Sequence, residues 1–327
     1  MKKMVISFRS SSPIGELPAW WLAQLRQRFP AVGIDYLPDF RGLDKAIEAA
    51  EIYVGWELSG EQATRARKLA WIQCPTAGVE GLLSPEIIQG PVVITSASVV
   101  HRVPAAEHAL MLILALARNL PLAAAGQHRR QWAQMEVWRG CGEVNGTCLG
   151  IIGAGGIGGE LAVRAKALGM RVLGLRQNCD QPVKGVDEML GVDQLDRLLT
   201  ESDFVVLAVP DTAATRHIIG KQQLDSMKKS ACLINVGRGT AVDQRALADA
   251  LQSGRIAGAA LDVYETEPLP QGSPLWAAPH ILITPHVGSA TMLERFWRRQ
   301  HELLAENLRR YLSGEPLLYV VNKRRGY

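Results

Sequence analysis

The sequence predicts an α/β protein built from two doubly wound parallel-sheet modules. Short β-rich runs alternate with helix-like stretches along the whole chain, which implies right-handed βαβ units rather than hairpins. The alternation comes in two series, separated by one long apolar helical segment. At 327 residues the chain is also about twice the usual size of a single domain.

The first series of β-rich runs is Val5–Phe8, Ile34–Leu37, Ile52–Trp56, Ala70–Cys74 and Val92–Ser96. Helix-like stretches lie between them at Pro18–Arg28, Leu43–Ala50 and Glu61–Arg67. The long helical segment is expected to start at Pro104, a residue suited to a first helical turn, and to reach Leu120. Its apolar residues cover nearly the whole circumference, as in a helix buried between two bodies. The second series is Cys148–Gly153, Arg171–Leu175, Phe204–Val209, Cys232–Val236, Ile256–Asp262 and Ile281–Thr284. Its helices include Gly156–Leu168, stopped by Gly169, and Gln244–Gln252, stopped by Gly254. A last helix, Thr291 to Leu312, ends at Gly314 and Pro316 and is expected to return to the first module, which is otherwise short of covering helices. Residues 101–289 then form one module inserted into another made of residues 1–100 and 290–327, with a cleft between the two.

Composition narrows the function classes. Hydrophobic residues make up 47% of the chain and charged residues 21%, enough to bury a sizeable core. The net charge is only +4. The basic pairs Arg129-Arg130, Arg298-Arg299 and Arg309-Arg310 and the tail Lys323-Arg324-Arg325 are scattered among Glu, Leu and Ala, as solvated helix faces or an exposed end, so no nucleic-acid partner is expected. The longest strongly apolar run, Ala109–Ala117, is about half the ~20 residues that span a bilayer. The basic start, Met1 to Arg9, has too short an apolar stretch for a signal peptide and reads as a strand. No membrane partner is expected. Five cysteines without a C-x-x-C spacing suggest reduced thiols in a cytoplasmic protein.

One segment has the pattern of a phosphate cradle. Leu149-Gly150-Ile151-Ile152 runs into Gly153-Ala154-Gly155-Gly156-Ile157-Gly158, a G-x-G-x-x-G that opens a helix and is followed by the strand Arg171–Leu175. Gly153 permits a tight turn, Gly155 lets backbone approach a pyrophosphate, and Gly158 lets the helix pack on the strand. The helix start then turns N–H groups and the positive dipole end toward phosphate. At the end of the next strand a carboxylate selects NAD, whereas a cation accommodates the 2′-phosphate of NADP. That position is Arg176, so NADP(H) is the expected cofactor, with NAD(H) as the second option.

Three further segments end strands of the same module: Ile234-Asn235-Val236-Gly237-Arg238-Gly239, Leu261-Asp262-Val263-Tyr264-Glu265-Thr266-Glu267-Pro268, and Ile283-Thr284-Pro285-His286-Val287-Gly288-Ser289-Ala290-Thr291. Together with the fingerprint, and with Thr76-Ala77-Gly78-Val79-Glu80, Ala106-Glu107-His108 and Leu116-Ala117-Arg118-Asn119, these resemble the D-isomer-specific 2-hydroxyacid dehydrogenase family over nearly the whole chain. The resemblance is weakest in the first ~60 residues, and Val99–Pro104 lacks the glycine that many members carry just before the long helix. It implies a Rossmann cofactor domain inserted into a flavodoxin-like substrate domain.

Reduction of a 2-keto acid leaves negative charge on the carbonyl oxygen, so the site needs a proton donor there and a cation for the adjacent carboxylate. By the resemblance, His286 is the donor, Glu267 orients it and favours its charged form, and Arg238 clamps the carboxylate. Backbone N–H groups of Ala77, Gly78 and Val79 complete the carboxylate site, and Trp56 limits substrate size. Asp262 is the acid that meets the nicotinamide carboxamide, while Val209, Pro210, Val236 and Gly288 line the cofactor. The other six histidines have no metal-ligand spacing, and no metal is expected. Glu107 and His108 are expected to pack or to hydrogen-bond between domains. The resemblance also implies a homodimer, with Trp132 or Trp138 as candidates to reach a partner's site. The expected reaction is D-stereospecific hydride transfer between NADP(H) and a small 2-keto acid such as glyoxylate, hydroxypyruvate or pyruvate. Alternatives are a phosphoglycerate or phosphite dehydrogenase, or a nucleotide-sensing corepressor of the same fold.

Overall fold

The structure is a computed structural model that describes residues 2–7, 17–289 and 293–327. The expected strand end at Phe8, the chain start at Met1 and Arg9, and Ala290 and Thr291 lie outside the described residues. The chain divides into two units, residues 1–101 with 290–327, and residues 102–289.

In the first unit β1 (Lys2–Ser7), β2 (Val32–Leu37), β3 (Ile52–Val54), β4 (Trp71–Cys74) and β5 (Val93–Ser96) pair in parallel in the order β2-β1-β3-β4-β5. Alternate side chains of a strand point to opposite faces, and both faces of this sheet are covered. Met4 and Ile6 pack with Trp21 and Leu25 of the Ala19–Arg28 helix and with Phe296, Leu304 and Leu308 of the Glu294–Ser313 helix. Val5 packs on the other face with Leu43, Ile47 and Leu82. The C-terminal helix is also tied by polar contacts, since Asn307 Nδ2 donates to Gln73 Oε1 (3.1 Å) and Gln300 Nε2 to the Pro75 carbonyl (2.6 Å).

In the second unit β6 (Cys148–Ile152), β7 (Arg171–Leu175), β8 (Glu188–Leu190), β9 (Phe204–Leu207), β10 (Cys232–Asn235), β11 (Gly258–Leu261) and β12 (Ile281–Ile283) form a parallel sheet in the order β12-β11-β10-β9-β6-β7-β8. The first strand lies between β9 and β7, so the chain winds outward in one direction and then in the other. Ligands of open α/β sheets bind at such a reversal, outside the carboxyl ends of the strands. Leu149 and Ile151 of β6 face Ala109, Leu112 and Ile113 of the long helix. Ile152 faces the opposite cluster with Leu198, Leu207 and Leu247.

Several elements differ from expectation. The long helix is Ser98–Ala117, and Pro104 lies inside it rather than in its first turn. The helix starts directly off β5, where the Ala97 N–H donates to the carbonyls of Cys74 and Thr76 and the Val100 N–H to the Ala97 carbonyl. That anchoring sets the start ahead of any proline preference. The unit boundary falls within this helix, after His101, which groups with the first unit through its Nε2–Pro75 carbonyl bond (3.0 Å) and its edge contact with Phe296. With 20 residues, the helix is by length and composition apolar enough to cross a bilayer, which the run Ala109–Ala117 alone did not indicate. In this fold Ala106, Ala109, Leu112 and Ile113 are core residues instead. Two helices after it, Leu120–His128 and Gln134–Arg139, and the three-residue β8 were not expected. None of the five cysteines is in a disulfide.

Candidate active site

The turn after β6 takes the shape its glycines allow. Gly153 has φ +96°, a left-handed conformation that disfavours side chains, and a Cβ there would lie 2.6 Å from the Ala208 carbonyl oxygen. A Cβ on Gly158 would meet the Gly153 carbonyl oxygen at 2.5 Å, so the helix could not otherwise seat on the strand. The turn is tied to β7 by the Gly153 and Ala154 N–H groups, which donate to the Leu175 carbonyl (2.9 and 3.1 Å). Nothing lies within 4 Å of a Cβ position built on Gly155. The helix Gly156–Ala167 has no side-chain cap and no acid in its first turn, while Ile157 packs on the sheet. Donors that lack an intrahelical partner, together with the positive dipole end, suit a phosphate group. These residues fit a dinucleotide.

Arg176 follows β7, and its Nη2 donates to the Gln181 carbonyl at 2.6 Å, which holds the guanidinium at the strand end. Val209 is buried between the phosphate turn and the Val236–Gly237 segment: a Cβ on Gly153 would touch its Cγ1 at 2.9 Å, and one on Gly237 would touch its backbone at 2.8 Å. Pro210 is held by its carbonyl, which accepts from Thr215 Oγ1 (2.6 Å).

Arg238, Glu267 and His286 leave the neighbouring strands β10, β11 and β12. Asn235 closes the turn before the arginine by accepting from the Gly237 N–H (3.0 Å) and donating to the Arg238 carbonyl (2.9 Å). The next residue must be glycine, because a Cβ on Gly239 would overlap the Tyr264 carbonyl carbon at 1.9 Å. The arginine loop therefore presses directly on the loop that carries Glu267. Glu267 Oε2 lies 2.6 Å from His286 Nδ1, and its Oε1 accepts from the Tyr264 N–H (2.9 Å). The carboxylate raises the histidine pKa above its ordinary value; burial and the Arg238 charge act in the opposite sense. Burial pushes the Glu267 carboxyl up, but the bonds from His286 and Tyr264 hold it below the usual range. His286 is half exposed and has φ +52°, so its backbone is strained and depends on its surroundings.

Those surroundings converge on Asp262, whose role beneath the histidine the sequence did not reveal. Asp262 is 2% exposed. Its carboxylate accepts from the N–H groups of Val287 (3.0 Å) and Gly288 (2.8 Å) and from Thr284 Oγ1 (2.6 Å), and His108 Nε2 lies 3.3 Å away. Its carbonyl accepts from the His286 N–H at 2.8 Å. Burial raises its pKa, but the His108, Thr284 and backbone donors outweigh that and hold it low. Tyr264 braces the same place, donating to the carbonyls of Leu261 and Thr284 (2.8 and 2.9 Å). His108 thus bonds within the second unit rather than between domains, and Glu107 lies 3.8 Å from Arg164 of that unit. The only local signals were Asp262 directly after a strand and Thr284 just ahead of the histidine.

In the first unit, Ala77, Gly78 and Val79 form the loop after β4. The Gly78 carbonyl accepts from Thr76 Oγ1 (2.8 Å) and Cys74 Sγ (3.3 Å). Among the described residues, the backbone N–H groups of Ala77, Gly78 and Val79 have no acceptor. Trp56 is half-buried after β3 and packs on both hydrophobic clusters of that unit. Among the described residues no group of three or more metal-ligating side chains occurs.

Comparison with known proteins places the chain among nicotinamide-dependent oxidoreductases. Residues 110–288 match the family described as D-isomer specific 2-hydroxyacid dehydrogenase, NAD binding domain. The chain is 36% identical to a glyoxylate reductase of Korarchaeum cryptofilum over 81% of its own length and 80% of the relative's. It is 35% identical to a D-3-phosphoglycerate dehydrogenase of Methanocaldococcus jannaschii over 86% of its length, but it spans only 53% of that longer protein. A D-isomer specific 2-hydroxyacid dehydrogenase from Xanthobacter autotrophicus Py2, solved with NADPH and MES, superposes with a TM-score of 0.82 at 27% identity over the full length of both chains. With a nucleotide cradle and a histidine–carboxylate pair on one sheet, and relatives of this similarity, the chain belongs to the D-isomer specific 2-hydroxyacid dehydrogenase family of oxidoreductases.

Proposed function

We propose that the protein is a cytoplasmic, D-stereospecific reductase of small 2-keto acids, of the glyoxylate, hydroxypyruvate or pyruvate class, that prefers NADP(H). The observation that carries the reading is the 2.6 Å contact between His286 Nδ1 and Glu267 Oε2, beside the Arg238 loop. When bound, the nicotinamide cofactor supplies the hydride. As charge develops on the carbonyl oxygen, His286 Nε2 delivers a proton to it, while Glu267 stabilises the imidazolium through Nδ1. Arg238 holds the substrate carboxylate with its planar fork of donors, and the N–H groups of the 77–79 loop add to that carboxylate site. Asp262 holds the histidine loop in register and would accept from the carboxamide of a bound nicotinamide. The cation of Arg176 at the end of β7 supports the NADP(H) preference. The large apolar side chains Met111, Leu114, Leu120, Trp132, Met135 and Trp138 are all exposed within one stretch of the chain, which supports a homodimer.

The test is the loss of 340-nm absorbance when NADPH or NADH meets a panel of glyoxylate, hydroxypyruvate, pyruvate and phosphohydroxypyruvate. Faster turnover of the short acids with NADPH supports the reading. A preference for phosphohydroxypyruvate favours the phosphoglycerate branch, and no turnover on any member removes the proposed substrate class. His286→Gln lowers kcat by about a hundredfold or more while cofactor affinity stays nearly unchanged; unchanged turnover overturns the assignment.

A further inference from the structure

We infer that Arg102, on the long helix, is a cofactor-binding side chain that grips the pyrophosphate; the inference rests on the dinucleotide reading of the 153–158 turn. Gly156 is the first residue of the helix that opens the cradle. A Cβ on it would lie 2.3 Å from Arg102 Nε, 2.8 Å from Cδ and 3.0 Å from Cγ. The stem of Arg102 therefore lies against the Gly156 backbone and occupies the place of a side chain at that position. Glycine is needed here for space, since its φ is not in the left-handed range. Arg102 and the turn belong to the same unit, and Arg102 is half-buried.

The electrostatics give this placement a purpose. The helix start is uncapped, carries no acid in its first turn, and presents the positive end of the dipole. A guanidinium beside it adds a second positive potential at one point, an arrangement complementary to a doubly charged anion. Arginine meets phosphate oxygens with parallel N–H donors and cannot lose its charge. The backbone N–H groups and Arg102 hold the pyrophosphate from two sides. Because pyrophosphate is common to NAD and NADP, Arg102 strengthens both, whereas Arg176 discriminates between them.

The experiment measures cofactor-free full-length protein by calorimetric titration with NADPH, NADH, ADP-ribose and adenosine 2′-phosphate. Arg102→Gln raises the Kd for the three pyrophosphate ligands by about tenfold or more. It leaves adenosine 2′-phosphate within about twofold and flattens the salt dependence of ADP-ribose binding. Arg176→Ala does the reverse, weakening NADPH and adenosine 2′-phosphate but sparing NADH. An ADP-ribose Kd unchanged by Arg102→Gln, or an equal loss for adenosine 2′-phosphate, overturns the inference and leaves the cofactor reading standing. Failure of the wild-type protein to bind any of the four overturns both. If Arg102→Gln does not fold, Arg102→Lys carries the test: it keeps the charge but loses the fork, so ADP-ribose weakens severalfold and adenosine 2′-phosphate does not. Equal affinities for the two proteins then overturn the inference.

Discussion

Asp262 and Glu267 leave β11 in one loop and serve the same histidine segment from opposite environments. Asp262 is almost fully buried, with hydrogen bonds from two backbone N–H groups and a hydroxyl and with His108 beside it. Glu267 is about one-third exposed and has one side-chain partner, the imidazole. Both carboxyls are held below their ordinary pKa. The difference lies in what can move. A buried carboxylate held by two backbone donors and a hydroxyl is a fixed part of the scaffold. One that faces a single, half-exposed imidazole can trade charge with it as the proton leaves. Proximity to the proposed proton donor does not make an acid catalytic; the number and kind of its donors decide.

The strongest way to break this contrast is Asp262→Ala. It leaves the Val287 and Gly288 N–H groups and the Thr284 hydroxyl without their acceptor, the Gly288 N–H in a buried place, at a cost of about 3 kcal/mol, read by urea unfolding followed by circular dichroism. A loss below about 1 kcal/mol would mean that the loop holds itself. The pH dependence has a definite sign. The folded-state pKa of Asp262 lies below its ordinary value of 3.8, so its contribution is present above that value and is lost as pH falls through the folded one. In Asp262→Ala that acid-side loss is reduced.

Glu267→Gln tests the other acid. The raised pKa of His286 comes first from the Glu267 hydrogen bond. With a neutral amide in its place, the pKa falls back toward the ordinary value of 6.5, and less imidazolium is present near neutrality. The kcat for keto-acid reduction drops about ten- to hundredfold, and the alkaline limb of its pH profile moves to lower pH. The wild-type linkage runs opposite to that of Asp262: the His286 contribution to stability is complete below 6.5 and is lost as pH rises through the folded value. A pH profile that does not move in Glu267→Gln would place the orienting group elsewhere.

The legible parts of the molecule are those whose backbone demands are written locally. The Gly153–Gly158 turn needs glycines at set positions, and the parallel strands show as short apolar runs bounded by turns, so the fold class and the three strand-end segments could be read from residue spacing. β8 could not, because Glu188-Met189-Leu190 is a three-residue edge strand with one fully buried side chain. Nor could the helix start at Ser98, since hydrogen bonds from Ala97 to Cys74 and Thr76 set it, and no propensity encodes those bonds. The donors around Asp262 come from residues 108, 284, 287 and 288, and the approach of Arg102 to Gly156 joins two helices. Such contacts exist only after the sheet has brought distant segments together.

The finest test separates the donors of Asp262 from one another. Thr284 Oγ1 donates to Oδ1 at 2.6 Å and lies 3.1 Å from His108 Nε2, so it joins the carboxylate to the long helix without touching the histidine loop beyond. Thr284→Val keeps the branched shape and removes only the hydroxyl. The two backbone N–H bonds from Val287 and Gly288 remain, and His108 can close on Oδ1 directly from its present 3.3 Å. The expected cost is therefore about 1 kcal/mol in urea unfolding, the net worth of one hydrogen bond, with kcat/KM for reduction within about threefold of wild type. An effect as large as that of Asp262→Ala would show that the hydroxyl, rather than the pair of amides, sets the position of the loop, and the scaffold role would then belong to the Thr284–His108 contact.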